Sequence, residues 1–310
     1  MEKVDLSVII VNYNTEKFLE NLLASLQKCQ LDRFQLEIIV VDNASNYDIK
    51  KQIAKIKDKN KIFKIKLILN KENLGYARAN NRGIKQAKGR YVLLLNSDTL
   101  LGKGTLLEMI RFMDNNKQFG AATCRVELAD GRLDPACHRG FPTPWASFIY
   151  FSGLESLFLR LSRFKIFSRF SRLCQYHQGW KDLTKIHSVD VISGAFFLIR
   201  KKVLDQVGWL DERFFMYAED IDLCLRLKEK GQQIAFNPET KIIHYKKSSG
   251  RQKGKGKKLT QKEIKIRQKA KKNFYQTMRL FYEKHYRDKY PWLIRKMVLR
   301  GIWIVSKICE

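Results

Sequence analysis

Four short, largely apolar runs in the first third of the chain constrain the fold more than any other feature of the sequence. They are residues 6–11, 36–41, 65–69 and 91–95. Runs of this length and composition are typical of strands buried on both faces of a sheet. Segments with helical spacing lie between them, as at Leu19, Leu22, Leu23 and Leu26. The alternation predicts an α/β fold with a Rossmann-like, mostly parallel sheet flanked by helices.

Polar side chains directly follow three of these runs. Asn12 comes after the first run, Asp42 after the second, and Asn96 and Asp98 after the fourth. The carboxyl ends of parallel strands meet at one edge of a sheet, and ligands bind in the crevice there. We therefore predict a nucleotide-sized cleft at this edge. The glycine patterns GxGxxG and GxxxxGK[ST] are both absent from the sequence, which argues against dinucleotide and P-loop sites.

The residues after the fourth run are compatible with a metal site. Asp98 stands two residues after Asn96 at the end of a rigid strand, and such a carboxylate suits a hard divalent cation that carries a diphosphate. Asn, Ser and Asp are also common in the turns that follow strands. From these residues alone, a cation site and an ordinary turn both remain open.

The composition is that of a globular protein without membrane-spanning segments. The 310 residues are enough for one large α/β domain with a smaller appendage. No uncharged apolar run reaches the roughly 18 residues that a membrane-spanning helix needs, and the N-terminal residues predict no signal peptide. Six scattered cysteines without a CxxC pair favour reduced thiols in a cytoplasmic protein.

Positive charge is concentrated near the C-terminus. The net charge of the chain is +29, and residues 246–310 alone hold 21 Lys and Arg against 4 Asp and Glu, a net +17. Such a tail predicts a polyanionic partner, either anionic lipid or nucleic acid. Because no nucleic-acid-binding motif accompanies the charge, we predict contact with an anionic membrane surface and no nucleic-acid partner.

The C-terminal residues divide into a loop and two helices. Residues 246–258 are rich in Gly, Ser and Lys, which predicts a mobile loop, and a helix is predicted from Thr260. In residues 291–308 the helical period separates basic from apolar residues, with Trp292 and Trp303 beside the basic face. This pattern is typical of an interfacial membrane helix, and docking on the main domain is the alternative.

A second segment of mixed character lies at residues 145–173. It combines aromatic residues and leucines with five basic residues, and its spacing permits one amphipathic helix with the basic residues on one side. These are Arg160, Arg163, Lys165, Arg169 and Arg172. Packing on the sheet with solvated arginines and a membrane-surface or acceptor-binding role are both open.

Six motifs occur in an order that resembles a known family. They are residues 7–14, 41–45, 73–77 with 80–83, 95–98, 193–200 and 214–223. Together, over approximately residues 5–245, they resemble the family 2 glycosyltransferases of the GT-A fold, close to bacterial rhamnosyltransferases. The resemblance implies a GT-A catalytic domain at 1–245, followed by a basic, helical extension at 246–310. It also implies transfer of a sugar from a nucleotide-sugar donor.

The resemblance also implies which residues bind the donor. Asp42 would accept a hydrogen bond from the base, Gly75 would allow close backbone approach, and Asn80 would face the nucleoside. Gly194 would leave room for the sugar, and Arg251 or a nearby lysine, in the predicted loop, would neutralise the leaving diphosphate. The expected donor contacts are Asn12, Asp42, Asn73, Gly75, Asn80, Asn96, Gly194 and Arg251.

The metal site that the resemblance implies departs from the family pattern. Asp98 matches the last Asp of the DxD motif and would bind Mg²⁺ or Mn²⁺ on the diphosphate. Asn96 replaces the first Asp, and since a neutral amide is a weaker ligand, we expect it to contact ribose or a metal-bound water. His244, at the end of a strand-like run, is expected either to complete the metal site or to be structural.

Catalysis is expected at a second carboxylate cluster. Glu219 and Asp220 open a predicted helix, where the resemblance puts the acceptor and the general base. Displacement at an anomeric carbon needs a base on the face opposite the leaving diphosphate. We predict that Asp220 is this base, with Glu219 orienting it or the acceptor, and that the transferred sugar is inverted. Asp222 is expected to complement the helix N-terminus.

By resemblance, the favoured donor is dTDP-rhamnose and the acceptor is a lipid-linked glycan in cell-surface polysaccharide synthesis. The protein would then lie on the inner face of the plasma membrane. A UDP-hexose or UDP-galactofuranose donor is the alternative. A sugar-phosphate nucleotidyltransferase is a weaker hypothesis, because its glycine- and arginine-rich loop after the first strand is absent here.

Overall fold

A nine-stranded sheet runs through the molecule. The computed structural model describes residues 4–59, 64–162, 172–246 and 261–308. The strands are β1 (Leu6–Asn12), β2 (Leu36–Asp42), β3 (Lys64–Leu69), β4 (Tyr91–Asn96), β5 (Thr99–Leu101), β6 (Phe119–Leu128), β7 (His187–Ser188), β8 (Phe196–Arg200) and β9 (Gln233–His244). Their order across the sheet is β3-β2-β1-β4-β8-β6-β9-β5, and β7 pairs with β9.

The described helices flank this sheet, and the last two of them follow its final strand in the sequence. They are α1 (Glu16–Gln27), α2 (Ile49–Lys59), α3 (Tyr76–Ile84), α4 (Thr105–Asn115), α5 (Pro144–Phe151), α6 (Leu154–Leu161), α7 (Lys201–Val207), α8 (Glu219–Glu229), α9 (Gln261–His285) and α10 (Trp292–Ile308). Helix α1 shows why they form: Leu19, Leu22, Leu23 and Leu26 share one face and are all buried. Burying each such side chain contributes about 1.5–3 kcal/mol.

The first four strands form the parallel half of the sheet, as the apolar runs predicted. Strand β1 pairs in parallel with β2 and with β4, and β2 pairs in parallel with β3. The register places Asn12 opposite Asp42 and Asn96 opposite Val11. The polar strand ends therefore meet at one edge of the sheet.

The second half of the sheet is mixed and brings a distant histidine to the same edge. Strand β8 runs antiparallel to β4, with Phe196 opposite Leu95. Strands β6 and β9 run parallel to each other, and β9 ends at His244, which pairs with Thr99 of β5. This pairing holds His244 beside Asp98, because Thr99 directly follows Asp98 in the sequence.

The prediction of one amphipathic helix over residues 145–173 is wrong. Two short helices, α5 and α6, occupy its first part, and they are separated at Ser152 and Gly153. Gly153 has a φ of +78°, a left-handed conformation that suits glycine and interrupts a helix. Residues 163–171, with three of the basic residues of this segment, lie outside the described ranges.

The C-terminal helices pack against the rest of the protein. In α9, Phe281 and Tyr282 are buried in the main core, and so is Tyr286 just after it. Helix α10 packs on α9. Among the helices of the described ranges, none is both long and apolar enough to cross a membrane. Most of the predicted loop at 246–258, including Arg251, lies outside the described residues.

Candidate active site

A cavity of about 1510 Å³ opens at the carboxyl edge of β1, β2 and β4. The strand ends, the start of α8 and the end of β9 all contribute polar side chains to its wall. These are Asn43, Asn73, Asn96, Asp98, Glu219, Asp220 and His244. The fold thus brings together the two carboxylate clusters that the sequence separates by about 120 residues.

Asp98 and His244 lie side by side at the strand-end side of the cavity. His244 Nε2 is 3.3 Å from Asp98 Oδ1, and its Nδ1 is 2.8 Å from Oδ2 of Asp134. All three side chains are buried. Burial lowers the pKa of His244, but the bonds to Asp134 and Asp98 outweigh this effect and raise it to about 9.

Asp134 was not found by sequence reasoning. It is fully buried, and besides His244 it binds Lys246 Nζ at 2.6 Å. Burial raises its pKa, but His244 and Lys246 together lower it to about 2. The local signal was weak: Asp134 precedes a proline and its side chain accepts a hydrogen bond from the amide of Ala136, as many turn residues do.

The residues around His244 fit a divalent cation. Asp98 and His244 both reach the cavity wall, with an oxygen and a nitrogen close enough to share one ion once Nε2 has released the proton that its raised pKa retains. The Nδ1 bond to Asp134 fixes the ring so that Nε2 faces the site, which is the usual outer support of a metal-bound histidine. Within the described ranges, no group of three or more His, Cys, Asp or Glu ligands exists. The remaining ligands would therefore come from amides, water or a bound substrate.

Asp220 and Glu219 occupy a different part of the wall, at the first turn of α8. Arg139 donates to Asp220 Oδ2 at 3.2 Å, and the Ile221 amide donates to Oδ1 at 2.8 Å. Glu219 is buried, and its Oε2 has no hydrogen-bond partner among the residues that the structure describes. The two adjacent carboxyls therefore differ, because the Arg139 guanidinium holds Asp220 and no such bond within the described ranges holds Glu219.

Burial sets the protonation of this pair. It raises the pKa of Glu219, and the neighbouring charge of Asp220 raises it further, to about 8. Burial also raises the pKa of Asp220, against the opposing charge of Arg139. The sequence does not reveal Arg139, because it lies 81 residues from Asp220 and no local pattern marks it. The pair has the raised basicity that a general base requires.

Two glycines predicted at the donor site, Gly75 and Gly194, lie where the surrounding protein leaves no space for a side chain. Gly75 has a φ of +84°, and a Cβ there would lie 2.4 Å from the Phe215 carbonyl oxygen. A Cβ at Gly194 would lie 2.5 Å from the Tyr76 hydroxyl, which donates to the Gly194 carbonyl. Both glycines line the cavity, and Asn73 beside them accepts from Asn43 Nδ2 at 2.8 Å.

Three predicted donor contacts do not line the cavity. Asn12 is fully buried, and its Nδ2 donates to Asp42 Oδ1 at 2.7 Å, to Ser45 and to Tyr47. Asp42 accepts further bonds from the Ser45 side chain and amide. Asn80 is buried and donates to the Tyr76 carbonyl. These residues are adjacent in sequence or hydrogen-bonded to residues that line the cavity, and their direct contact with a donor stays a prediction.

Comparison with known families agrees with this geometry. Residues 7–208 match the family model described as glycosyl transferase family 2. The chain is similar to N-acetylglucosaminyl-diphospho-decaprenol L-rhamnosyltransferase of Mycobacterium tuberculosis, at 28% identity over 255 residues, which are 79% of this chain and 77% of that protein. It is also similar to rhamnosyltransferase WbbL of Escherichia coli, at 26% identity over 245 residues, 77% of this chain and 82% of the relative.

A solved structure shares the fold. GalNAc-T7 in complex with UDP, GalNAc and Mn²⁺ superimposes with a TM-score of 0.57 at 17% identity, over 79% of this chain and 44% of that chain. The sheet with its flanking helices is thus that of the GT-A glycosyltransferases, and the predicted fold class is confirmed.

Proposed function

The chain belongs to glycosyl transferase family 2, and we propose that it is an inverting rhamnosyltransferase that uses dTDP-rhamnose and a lipid-linked glycan acceptor. The observation that carries the proposal is that Asp98 and Asp220 line one cavity. Its volume of about 1510 Å³ exceeds the roughly 300–1,000 Å³ of most small-molecule sites, which leaves room for a donor and an acceptor. The names of both relatives support the choice of sugar, and the name of the Mycobacterium tuberculosis relative supports the lipid-linked acceptor.

We assign donor binding to the strand-end side of the cavity. Asp98 and His244 would hold Mg²⁺ or Mn²⁺, with Asn96 beside them; Asn96 Nδ2 is 3.4 Å from His244 Nε2. When bound, the ion neutralises negative charge on the diphosphate of the donor. Asn73 and the backbone at Gly75 line the adjoining wall and would meet the nucleoside.

We assign proton transfer to Asp220. It would accept the proton of the acceptor hydroxyl while that oxygen attacks the anomeric carbon. Arg139 and the Ile221 amide fix the orientation of the carboxylate, and each carboxylate oxygen keeps a further lone pair for the incoming proton. Attack from the face opposite the diphosphate inverts the configuration of the transferred sugar.

We also propose that α10 lies against an anionic membrane surface on the cytoplasmic side. Trp292, Leu293 and Trp303 are 71%, 55% and 59% exposed, and Lys296 and Arg300 are exposed on the same helix. Exposed tryptophans beside basic residues are typical of helices that bind in the plane of a membrane. A peripheral position would place the active site near a lipid-linked acceptor.

The donor is tested with a panel of dTDP-, UDP- and GDP-sugars, scored for thermal stabilisation of the full-length protein and for donor hydrolysis. We expect the strongest response to dTDP-rhamnose and a dependence on Mn²⁺ or Mg²⁺. A stronger response to a UDP-sugar would show that the donor is a UDP-sugar and would leave the proposed glycosyltransferase activity in place. No response to any donor, with either ion, would overturn the proposal.

The base is tested with Asp220→Asn. General-base catalysis contributes about 10²–10⁴-fold, so transfer should fall by about that factor while donor affinity stays within about two-fold. Asp182→Asn is the matched control, since Asp182 is half exposed and pairs only locally, with Thr184 and Lys185. Full activity of Asp220→Asn would remove Asp220 as the base.

A further inference from the structure

The same cavity has a second, apolar part that the transfer chemistry does not use. Its walls come from α5, α9 and α10, and we call this part the apolar chamber. Phe148 of α5, Met278 and Phe281 of α9, and Ile294 and Ile302 of α10 line it. The chamber is continuous with the wall that carries Asp220, so its occupant must connect to the reacting groups.

Helix α10 contributes one continuous face to the chamber. Ile294, Val298, Gly301, Ile302 and Val305 all line the cavity, at positions i, i+4, i+7, i+8 and i+11 of the helix. Residues with this spacing share one side of a helix. The chamber face is distinct from the exposed positions Leu293 and Trp303, so α10 presents different apolar residues to the cavity and to the outside.

The chamber opens at three exposed apolar side chains. Trp145 and Phe148 line the cavity and yet are 49% and 57% exposed, and Met297 lines it from α10 and is 66% exposed. These three residues therefore mark the mouth. An apolar mouth that leads to a polar group of side chains suits an elongated ligand. Its hydrocarbon part would lie in the chamber towards the mouth, and its polar part would lie near Asp220.

A glycan alone does not fit this chamber. Sugar hydroxyls need hydrogen-bond partners when they leave water, and these side chains of α5, α9 and α10 offer mainly carbon. Burying hydrocarbon, in contrast, is favourable by about four-fold in affinity per methylene group. The walls thus select a chain of methylene or isoprenoid units.

We propose that the apolar chamber binds the hydrocarbon chain of a diphosphate-linked lipid acceptor and thereby holds its sugar at Asp220. This inference rests on the proposed function for the identity of the reacting end. The head group would lie between the chamber and Asp220, where Arg139 lines the cavity with an Nε atom that has no partner in the described part of the chain. Chain length then becomes a determinant of acceptor binding.

Gly301 gives a direct test. A Cβ added there meets no atom of the surrounding protein within 4 Å, so the side chain of Gly301→Phe starts in open space and extends into the chamber, and losing a helical glycine favours the helix. The probes are farnesyl diphosphate and dimethylallyl diphosphate, titrated by calorimetry into the full-length protein. Since three buried methylenes already give about fifty-fold, we expect farnesyl diphosphate to bind at least about fifty-fold tighter.

In Gly301→Phe this ratio should fall below about five-fold, with dimethylallyl diphosphate binding unchanged and the melting temperature no lower than that of the wild type. Gly301→Ala is the control and should keep the wild-type ratio. A wild-type ratio near one, or a ratio that Gly301→Phe leaves intact, would overturn the proposal. So would equally tight, competitive binding of dihexanoyl phosphatidylglycerol, which would make the chamber a site for membrane lipid.

The binding ratio does not depend on sugar transfer. If the ratio behaves as expected and no donor supports transfer, the chamber stands and the proposed function fails. If transfer occurs on acceptors with short and long chains at the same kcat/KM, the proposed function stands and the chamber proposal fails. The two proposals therefore have separate outcomes.

Discussion

His285 Nε2 lies 2.7 Å from Asp222 Oδ1, and this contact joins the C-terminal extension to the helix that carries the carboxylate pair. Asp222 is fully buried and also binds Lys284 of α9 and Arg226 of its own helix. Burial raises its pKa, but these three partners outweigh burial and lower it. The expected role of Asp222, a charge at the helix N-terminus, is thus only part of what it does.

Asp222→Asn should destabilise the protein strongly. The substitution leaves Lys284, Arg226 and His285 without their shared anion, and breaking a buried ion pair from one side costs about 3–5 kcal/mol. Because Lys284 and Arg226 keep some contact with water, at 21% and 18% exposure, we expect the lower end of this range. Urea unfolding of the full-length protein measures the difference.

The matched control is Glu229→Gln, which removes an ion pair between α8 and the residues that follow α9. Glu229 binds Lys289 just beyond α9, and both side chains are about half exposed, so the loss should stay below about 1 kcal/mol. Equal destabilisation by both variants would show that Asp222 is not the main anchor of the extension.

Asp134→Asn should weaken metal binding, although Asp134 is not itself one of the proposed metal ligands. Asp134 orients His244 through the 2.8 Å bond to Nδ1, and loss of such an outer partner typically costs about 10–100-fold in metal affinity. Mn²⁺ titration in the presence of a nucleoside diphosphate measures this effect. Asp130→Asn, in the same loop but half exposed and paired with Arg132, should leave the affinity unchanged. Unaltered Mn²⁺ affinity in Asp134→Asn would argue against His244 as a ligand.

The parallel half of the sheet was predictable because its signal is local. Each strand from β1 to β4 is an apolar run, and the alternation with helices fixes the direction of the strands. The pairing of β6 with β9, in contrast, joins residues more than 100 positions apart. A sequence pattern does not show which distant strand will be a neighbour, so this half of the sheet could not be derived.

The residues of the candidate site also divide into those that a local sequence pattern marks and those that only distant contacts bring together. Asp98 and Asp220 were predicted because they end a strand and begin a helix within recognisable motifs. Asp134 and Arg139 lie in the irregular segment after β6 and acquire their charged partners only through tertiary contacts. For α10, the helical period predicted a basic and an apolar face, but it did not show that apolar residues of this helix border the cavity.

Glu219→Gln should stabilise the protein at alkaline pH. The folded-state pKa of Glu219 is raised from 4.5 to about 8, so the folded state holds a proton that the unfolded state has lost. Stability is therefore lost as pH rises between these two values, and glutamine removes this loss. The unfolding free energy of Glu219→Gln should exceed that of the wild type at pH 9 and approach it near pH 4. A difference that does not depend on pH would show that Glu219 is not protonated in the folded protein.

The outward face of α10 predicts a specific loss of membrane binding. Lys296 and Arg300 are exposed there and do not line the cavity, and a basic residue near an anionic surface contributes about 1 kcal/mol. Replacing both with alanine should therefore weaken binding to phosphatidylglycerol vesicles about thirty-fold, while transfer to a water-soluble acceptor stays unchanged. Lys50→Ala with Lys51→Ala, on the exposed side of α2, is the charge-matched control. If this control loses vesicle binding equally, the attraction is a property of the net charge of +29 and α10 has no special part in it.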